Sequence, residues 1–194
     1  MISNLLPLTN RKLSIITALH LFGPLHISEI AKKTGIEKQN VSLQIKKLKN
    51  NNIVSIHKKI GRSIEFILSK ETSNKMNTII EDFRKDRIYS KYPKIENIIR
   101  YISNNFKETK KIYLIGSYLE DPKDKNDLDL IIIFNKFSEK EQRKVEKDIK
   151  TLYKIKLDII PFTEDNFKKE KDNRSAFYQT TFDYKANNLL LYPS

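Results

Sequence analysis

From Leu128 to Phe134 the chain reads Leu-Asp-Leu-Ile-Ile-Ile-Phe, and this stretch constrains the fold more than any other. A run this apolar and this short is read as a β-strand buried on both faces, which needs paired neighbours and cover above and below. Its surroundings supply both. Lys111 to Ile115 and Ile155 to Phe162 read as further strands, Leu189 to Tyr192 as a last one, and Ser138 to Tyr153 as an intervening helix. The expected class is α/β (α+β), with a small mixed sheet in the C-terminal part of the chain.

Asp127, Asp129 and Asp158 stand out against these apolar strands, because an ionised carboxylate in a buried strand is costly unless it is paired or bound to a cation. Strand side chains alternate, so Asp127 and Asp129 project to one face while Leu128 turns to the other. Like charges so close raise each other's proton affinity unless a divalent ion holds them. Paired carboxylates with a third from a neighbouring strand suit magnesium or manganese, a pattern that suggests two-metal phosphoryl chemistry.

The front of the chain has a different character. Residues 1–70 hold 12 of the 37 Lys and Arg but only 3 of the 24 Asp and Glu, so most of the formal charge of +13 lies there. Such asymmetry favours a polyanionic partner. Leu13, Ile16 and Leu19 recur at helical spacing until Gly23-Pro24; Ser28 is read as the cap of a second helix, Glu29 to Thr34, closed by Gly35; a third runs from about Glu37 to Asn50. The third helix buries Val41, Ile45 and Leu48 and turns Lys38, Gln39, Asn40, Ser42, Leu43, Gln44, Lys46 and Lys47 outward. Ile53 to Lys58 and Ser63 to Leu68 then read as a hairpin around Gly61.

Between these parts, residues 71–106 carry two helical patterns. Met76, Ile79, Ile80 and Phe83 mark the first, open to either core packing or dimerisation; Ile95, Ile98, Ile99, Ile102 and Phe106 mark the second, expected to pack on the sheet. The organisation expected is 1–70, a connector at 71–107, and 108–194. No cysteine is present, which excludes disulfides, thiolate zinc sites and a cysteine nucleophile. His20, His26 and His57 show no ligand spacing. No apolar run approaches the roughly 20 residues that cross a bilayer, and Met1 to Asn10 lacks the parts of a signal peptide, so a cytoplasmic protein without a membrane partner is expected. Phe177, Tyr178, Phe182 and Tyr184 are read as cover for the sheet ahead of base-stacking residues.

Two resemblances follow from these residues. ISEIAKKTGIEKQNVSLQIKKLKNNNIV with VSIHKKIGRSIEFIL resembles the winged helix-turn-helix regulators of the ArsR and MarR type, over nearly all of residues 10–70. The resemblance implies that the third helix enters the major groove of double-stranded DNA and that two copies pair. Gln39, Asn40, Ser42 and Gln44 would meet base edges and Leu43 a thymine methyl, while Lys38, Lys46, Lys47, Lys58, Lys59 and Arg62 would neutralise phosphates. LIGSYLEDPKDKNDLDLIIIF with the later KLDIIPF resembles the minimal polymerase-beta-like nucleotidyltransferases, over about residues 108–165. That resemblance implies that Gly116 and Ser117 begin a helix holding the tail of a nucleoside triphosphate, that Asp127 and Asp129 bind two magnesium (or manganese) ions, and that Asp158 helps activate the attacking hydroxyl. Where minimal members carry a basic residue and glycine soon after Gly-Ser, this chain has Tyr118, Leu119, Glu120 and Asp121, with Lys123 and Lys125 later.

The reading placed first is a DNA-binding transcription regulator whose C-terminal domain binds nucleotide and divalent metal. The alternative is an active nucleotidyltransferase that moves a nucleoside monophosphate onto a protein or RNA hydroxyl. An antitoxin-like variant of it, with a small toxin-like protein partner, is implied by the second resemblance.

Overall fold

The computed structural model describes residues 8–61, 63–119 and 127–193, which group into two units, Met1–Phe83 and Arg84–Ser194, each with its own apolar core. In the first unit, α1 (Asn10–Phe22) buries Ile15, Ile16 and Leu19 and gives way at Gly23 to a two-residue strand, β1 (Leu25–His26). Helix α2 (Ile27–Thr34) follows at once, and α3 (Lys38–Asn50) buries Val41, Ile45 and Leu48 as its spacing requires. Strands β2 (Val54–Ile60) and β3 (Ser63–Leu68) form the hairpin, and β1 joins them antiparallel to make a sheet of order β1-β3-β2.

Ser28 does not cap α2, contrary to expectation. Pairing of Leu25 with Phe66 and of His26 with Glu65 draws the preceding residues into the sheet, so the helix begins at Ile27, ahead of the expected Glu29. The orphan amide at that end is His26 N–H, which donates to the Glu29 carboxylate at 2.8 Å. The other end closes as expected, with Gly35 left-handed at φ 69° and its N–H donating to Ala31 O.

The expected single helix after residue 70 is two, α4 (Lys70–Lys75) and α5 (Asn77–Lys91), and the division between the units falls within α5. Met76 and Ile80 belong to the first core, whereas Ile88 and Tyr89 pack against the second. Pro93 starts α6 (Pro93–Asn105), where its missing N–H costs nothing and its fixed φ suits the first turn.

The second unit is built on a four-stranded sheet of order β6-β5-β4-β7 from β4 (Thr109–Ile115), β5 (Asp127–Phe134), β6 (Lys156–Thr163) and β7 (Asn188–Tyr192). Strands β5 and β6 run parallel, joined through α7 (Glu139–Tyr153), while β4 pairs antiparallel with both β5 and β7. The sheet is therefore mixed, as the sequence implied. One face packs Leu128, Leu130, Ile132 and Phe134 of β5 and Leu157 of β6 against Ile95, Ile98 and Ile102 of α6 and Val145 and Ile149 of α7.

Alternation sends Ile131 and Ile133 to the other face, and both are buried there as well. That face carries Tyr113, the register partner of Ile131, within an aromatic cluster. Phe182 meets the Tyr113 ring edge-on at 5.2 Å, and Phe167 of α8 (Glu164–Asp172) lies 5.1 Å from Phe182 and 5.8 Å from Phe162. Phe177 lies 5.5 Å from Phe162 and Tyr178 stacks on Phe182, so these rings cover the sheet; Tyr184, expected with them, is 66% exposed.

All nine tyrosines lie in the second unit and the chain has no tryptophan, so tyrosine fluorescence reports on that unit alone. Ile98→Ala, at a fully buried position, is expected to lower its stability by about 2–5 kcal/mol in urea titrations followed by this signal.

Candidate functional site

The acidic site lies where the two faces of the sheet differ in cover. Strand β5 is buried from Leu130 onward, but its first residues emerge, leaving Asp127 exposed and Asp129 half-buried. Parallel pairing sets Asp129 opposite Asp158 and Asp127 opposite Lys156. Alternation then puts Asp127, Asp129, Lys156 and Asp158 on one side, while Leu128 and Leu157 point into the core. The expectation of three carboxylates inside buried strands is thus corrected for two of them. The Asp127 and Asp158 side chains are 50% and 52% exposed, because both stand at the open mouth of the strands.

Lys156, which the sequence reading passed over, places a cation on this face. Its Nζ donates to Asp158 Oδ2 at 2.9 Å and lies 3.5 Å from Asp127 Oδ2. The signal that would have revealed it is its spacing: two residues before Asp158 in a strand means the same face. The hydrogen bond to Asp158 is the largest influence holding the ammonium above its usual pKa; partial desolvation opposes it, and the charges of Asp127 and Asp158 add to it. Burial, then the charges of Asp158 and Asp127, raise the Asp129 carboxyl, with Lys156 acting in the opposite direction.

Gly116 ends β4 in the left-handed region, at φ 72°. A Cβ built there would collide with Asp129 Oδ2, so the absence of a side chain at 116 is what lets the Asp129 carboxylate lie against the turn. The expected helix beginning at Gly116 and Ser117 is, among the described residues, a single 3-10 turn, Gly116–Leu119. Its Tyr118 points inward, 5% exposed, with its ring edge-on to Tyr92 at 5.2 Å. Burial first, then Tyr92, Asp127 and Asp129, hold the Tyr118 hydroxyl above its ordinary pKa. Glu120, Asp121, Lys123 and Lys125 lie outside the described residues. A cavity of about 260 Å³ opens beside Gly116, lined by Leu119, Thr180, Thr181, Ala186 and Asn187 among others.

Whether these residues suit a divalent metal depends on donor chemistry and on placement. The donors are hard carboxylate oxygens on one face, at a position that already attracts a cation, and that chemistry suits magnesium or manganese. As the side chains stand, no group of three or more acids or histidines among the described residues is gathered closely enough to hold a metal ion. The ammonium of Lys156 takes the place between Asp127 and Asp158.

The second candidate surface belongs to the first unit. On α3, Lys38, Gln39, Ser42, Lys46 and Lys47 are exposed, and Leu43 is 57% exposed although it is apolar. Two expected reading residues are less available. Asn40 is half-buried with its amide 3.5 Å from the Glu37 carboxylate, and Gln44 is half-buried with its carbonyl oxygen enclosed and without a hydrogen-bond partner among the described residues. Lys58 and Lys59 are exposed on the hairpin; Arg62 lies outside the described residues.

Comparison with known proteins divides the chain in the same way. Residues 9–55 match the family "Bacterial regulatory protein, arsR family" and residues 96–174 match "Polymerase beta, Nucleotidyltransferase". Among solved structures, NadR in complex with 4-hydroxyphenylacetate is similar at 20% identity and a TM-score of 0.39, over 47% of this chain and 63% of that one. The chain thus spans less than two thirds of NadR. Bordetella bronchiseptica BpsR is similar at 18% identity and a TM-score of 0.38, covering 52% and 78%. AF1382 from Archaeoglobus fulgidus gives 22% and 0.34, covering 41% and 92%. A search of curated proteins found no match.

Two tests follow from the geometry of the acidic site. Gly116→Ala is expected to lower stability by about 1–3 kcal/mol, since it combines a left-handed φ with the approach to Asp129, and Asp129→Ala in the same background should recover part of the loss in urea titration. A carboxyl whose proton affinity is raised by folding opposes folding when ionised, fully so above its folded pKa and not at all below its unfolded one. Asp129→Asn should therefore raise the melting temperature at pH 7, and the gain should fade as the pH drops through the raised value toward the ordinary Asp range.

Proposed function

We propose that this chain, which joins an arsR-family helix-turn-helix to a polymerase-beta nucleotidyltransferase domain, is a DNA-binding regulator whose C-terminal domain binds a nucleotide together with a divalent metal. The observation that carries the first half is the outward face of α3. Lys38, Gln39, Ser42, Leu43, Lys46 and Lys47 are open on one helix, with Lys58 and Lys59 open on the hairpin of the same unit. Ammonium groups at such positions draw a duplex by releasing its counterions, and the amide and hydroxyl groups of Gln39 and Ser42 have the hydrogen-bonding capacity to read base edges. Leu43, exposed on the same face, would meet a thymine methyl in the groove. Two paired copies would read two half-sites one helical turn apart.

For the C-terminal domain, Asp127, Asp129 and Asp158 are the residues that would hold the metal, and Gly116 and Ser117 would face the phosphates. When bound, the metal supplies charge neutralisation for a triphosphate. What the chain itself contributes is placement. Gly116 leaves room for the Asp129 carboxylate at the end of β4, and Tyr118 anchors the turn that follows by its burial in the core. A second reading, active transfer of a nucleoside monophosphate to a protein or RNA hydroxyl, is favoured by the approach of Gly116 to Asp129, which shares one face with Asp127 and Asp158.

Fluorescence anisotropy with mixed-sequence and selected duplexes tests the regulator reading. Binding should weaken steeply with salt, and Lys46→Ala with Lys47→Ala should reduce the slope of log K against log salt by about two, with no change in far-UV circular dichroism. A salt-insensitive interaction, or none with any selected duplex, would remove it. Incorporation of labelled nucleoside triphosphate that disappears in Asp127→Asn and Asp129→Asn would favour the enzyme.

A further inference from the structure

We infer that Lys156 is a tethered counter-ion of the acidic face, one that a divalent cation must displace before Asp127 and Asp158 can bind it. The inference rests on the reading of this face as a metal site and adds to it a residue of the opposite sign. Parallel pairing fixes the arrangement: Lys156 stands in register with Asp127 on the adjacent strand and two residues before Asp158 on its own, so its stem rises on the side where both carboxylates lie. Its Nζ reaches both, at 2.9 Å and 3.5 Å.

An ammonium that bridges two carboxylates occupies the volume a shared divalent ion would take, and it adds a unit positive charge a few ångströms from any ion that approaches. The two occupants therefore exclude one another. Displacement is within reach, because the three side chains of this network are about half exposed and exposed ion pairs are weak and screened by salt. The lysine stem is long and flexible, so the displaced ammonium swings to the rim without disturbing β6. Asp129, which forms no ion pair with Lys156 in this arrangement and rests against Gly116, is left as the fixed carboxylate of the face. The consequence is a threshold: the acids stay neutralised at low divalent concentration and become available only when the ion outcompetes the lysine.

The test is direct titration of the full chain with Mn²⁺, reading free ion by electron paramagnetic resonance at fixed pH and salt, for wild type, Lys156→Gln, Lys156→Arg, Asp129→Asn and Asp127→Asn. Lys156→Gln is expected to bind Mn²⁺ on the order of fivefold more tightly than wild type, through loss of one nearby positive charge. Lys156→Arg should stay near wild type, and the two aspartate variants should weaken binding. If wild type binds and Asp129→Asn does not, yet Lys156→Gln matches wild type or binds more weakly, the role of Lys156 is overturned while the metal site stands. If neither wild type nor Lys156→Gln binds more than Asp129→Asn, the metal reading itself fails and the role of Lys156 fails with it.

Discussion

Strand β5 lies between β6 and β4, has its backbone paired on both edges, and is buried on both faces from Leu130 to Phe134. The second unit is organised around that condition. Helices α6 and α7 cover one face, and Phe162, Phe167, Phe177, Tyr178 and Phe182 gather over the other, because a strand this apolar would otherwise expose large aliphatic side chains to water. The cover stops short of the first residues of β5. The acids stand at that uncovered mouth, where a carboxylate keeps part of its hydration and the desolvation cost of a buried charge is not incurred in full.

The electrostatics of the mouth follow from register. Two strands in parallel alignment place residues of equal height side by side, so Asp129 and Asp158 face each other and Lys156 comes level with Asp127. A lysine and three carboxylates on one surface leave less repulsion than the acids alone would. Asp129, the most enclosed of them, has its proton affinity raised by burial first and then by the charges of Asp158 and Asp127. Close approach of backbone and carboxylate at residue 116 joins the end of β4 to the start of β5 on the acidic side of the sheet.

The first unit solves a different problem. Its helices bury a narrow apolar stripe and leave α3 and the β2–β3 hairpin with an outward surface rich in lysine, while β1, only two residues long, ties the hairpin back to the helices. That short strand also explains why α2 starts at Ile27 and why Glu29, not Ser28, satisfies the orphan amide. No helix among the described residues of either unit is long and apolar enough to cross a membrane.

Much of this was legible in the residues themselves. Periodicity placed α1, α3, α6 and α7 and all four strands of the larger sheet within a residue or two, because apolar spacing records which face a regular element buries. Alternation alone put Asp127 and Asp129 on one side of β5. Other features escaped. The two-residue β1 is too short to carry a period; the turn after Gly116 is, among the described residues, a single 3-10 turn where a helix was expected; and the place of Lys156 depends on which strand lies beside β5 and at what height. Spacing along a chain determines the side toward which a residue points. Its neighbour across a sheet is decided by strand order and register, which are set by long-range packing, and so only the tertiary structure could bring a lysine between two of the three aspartates.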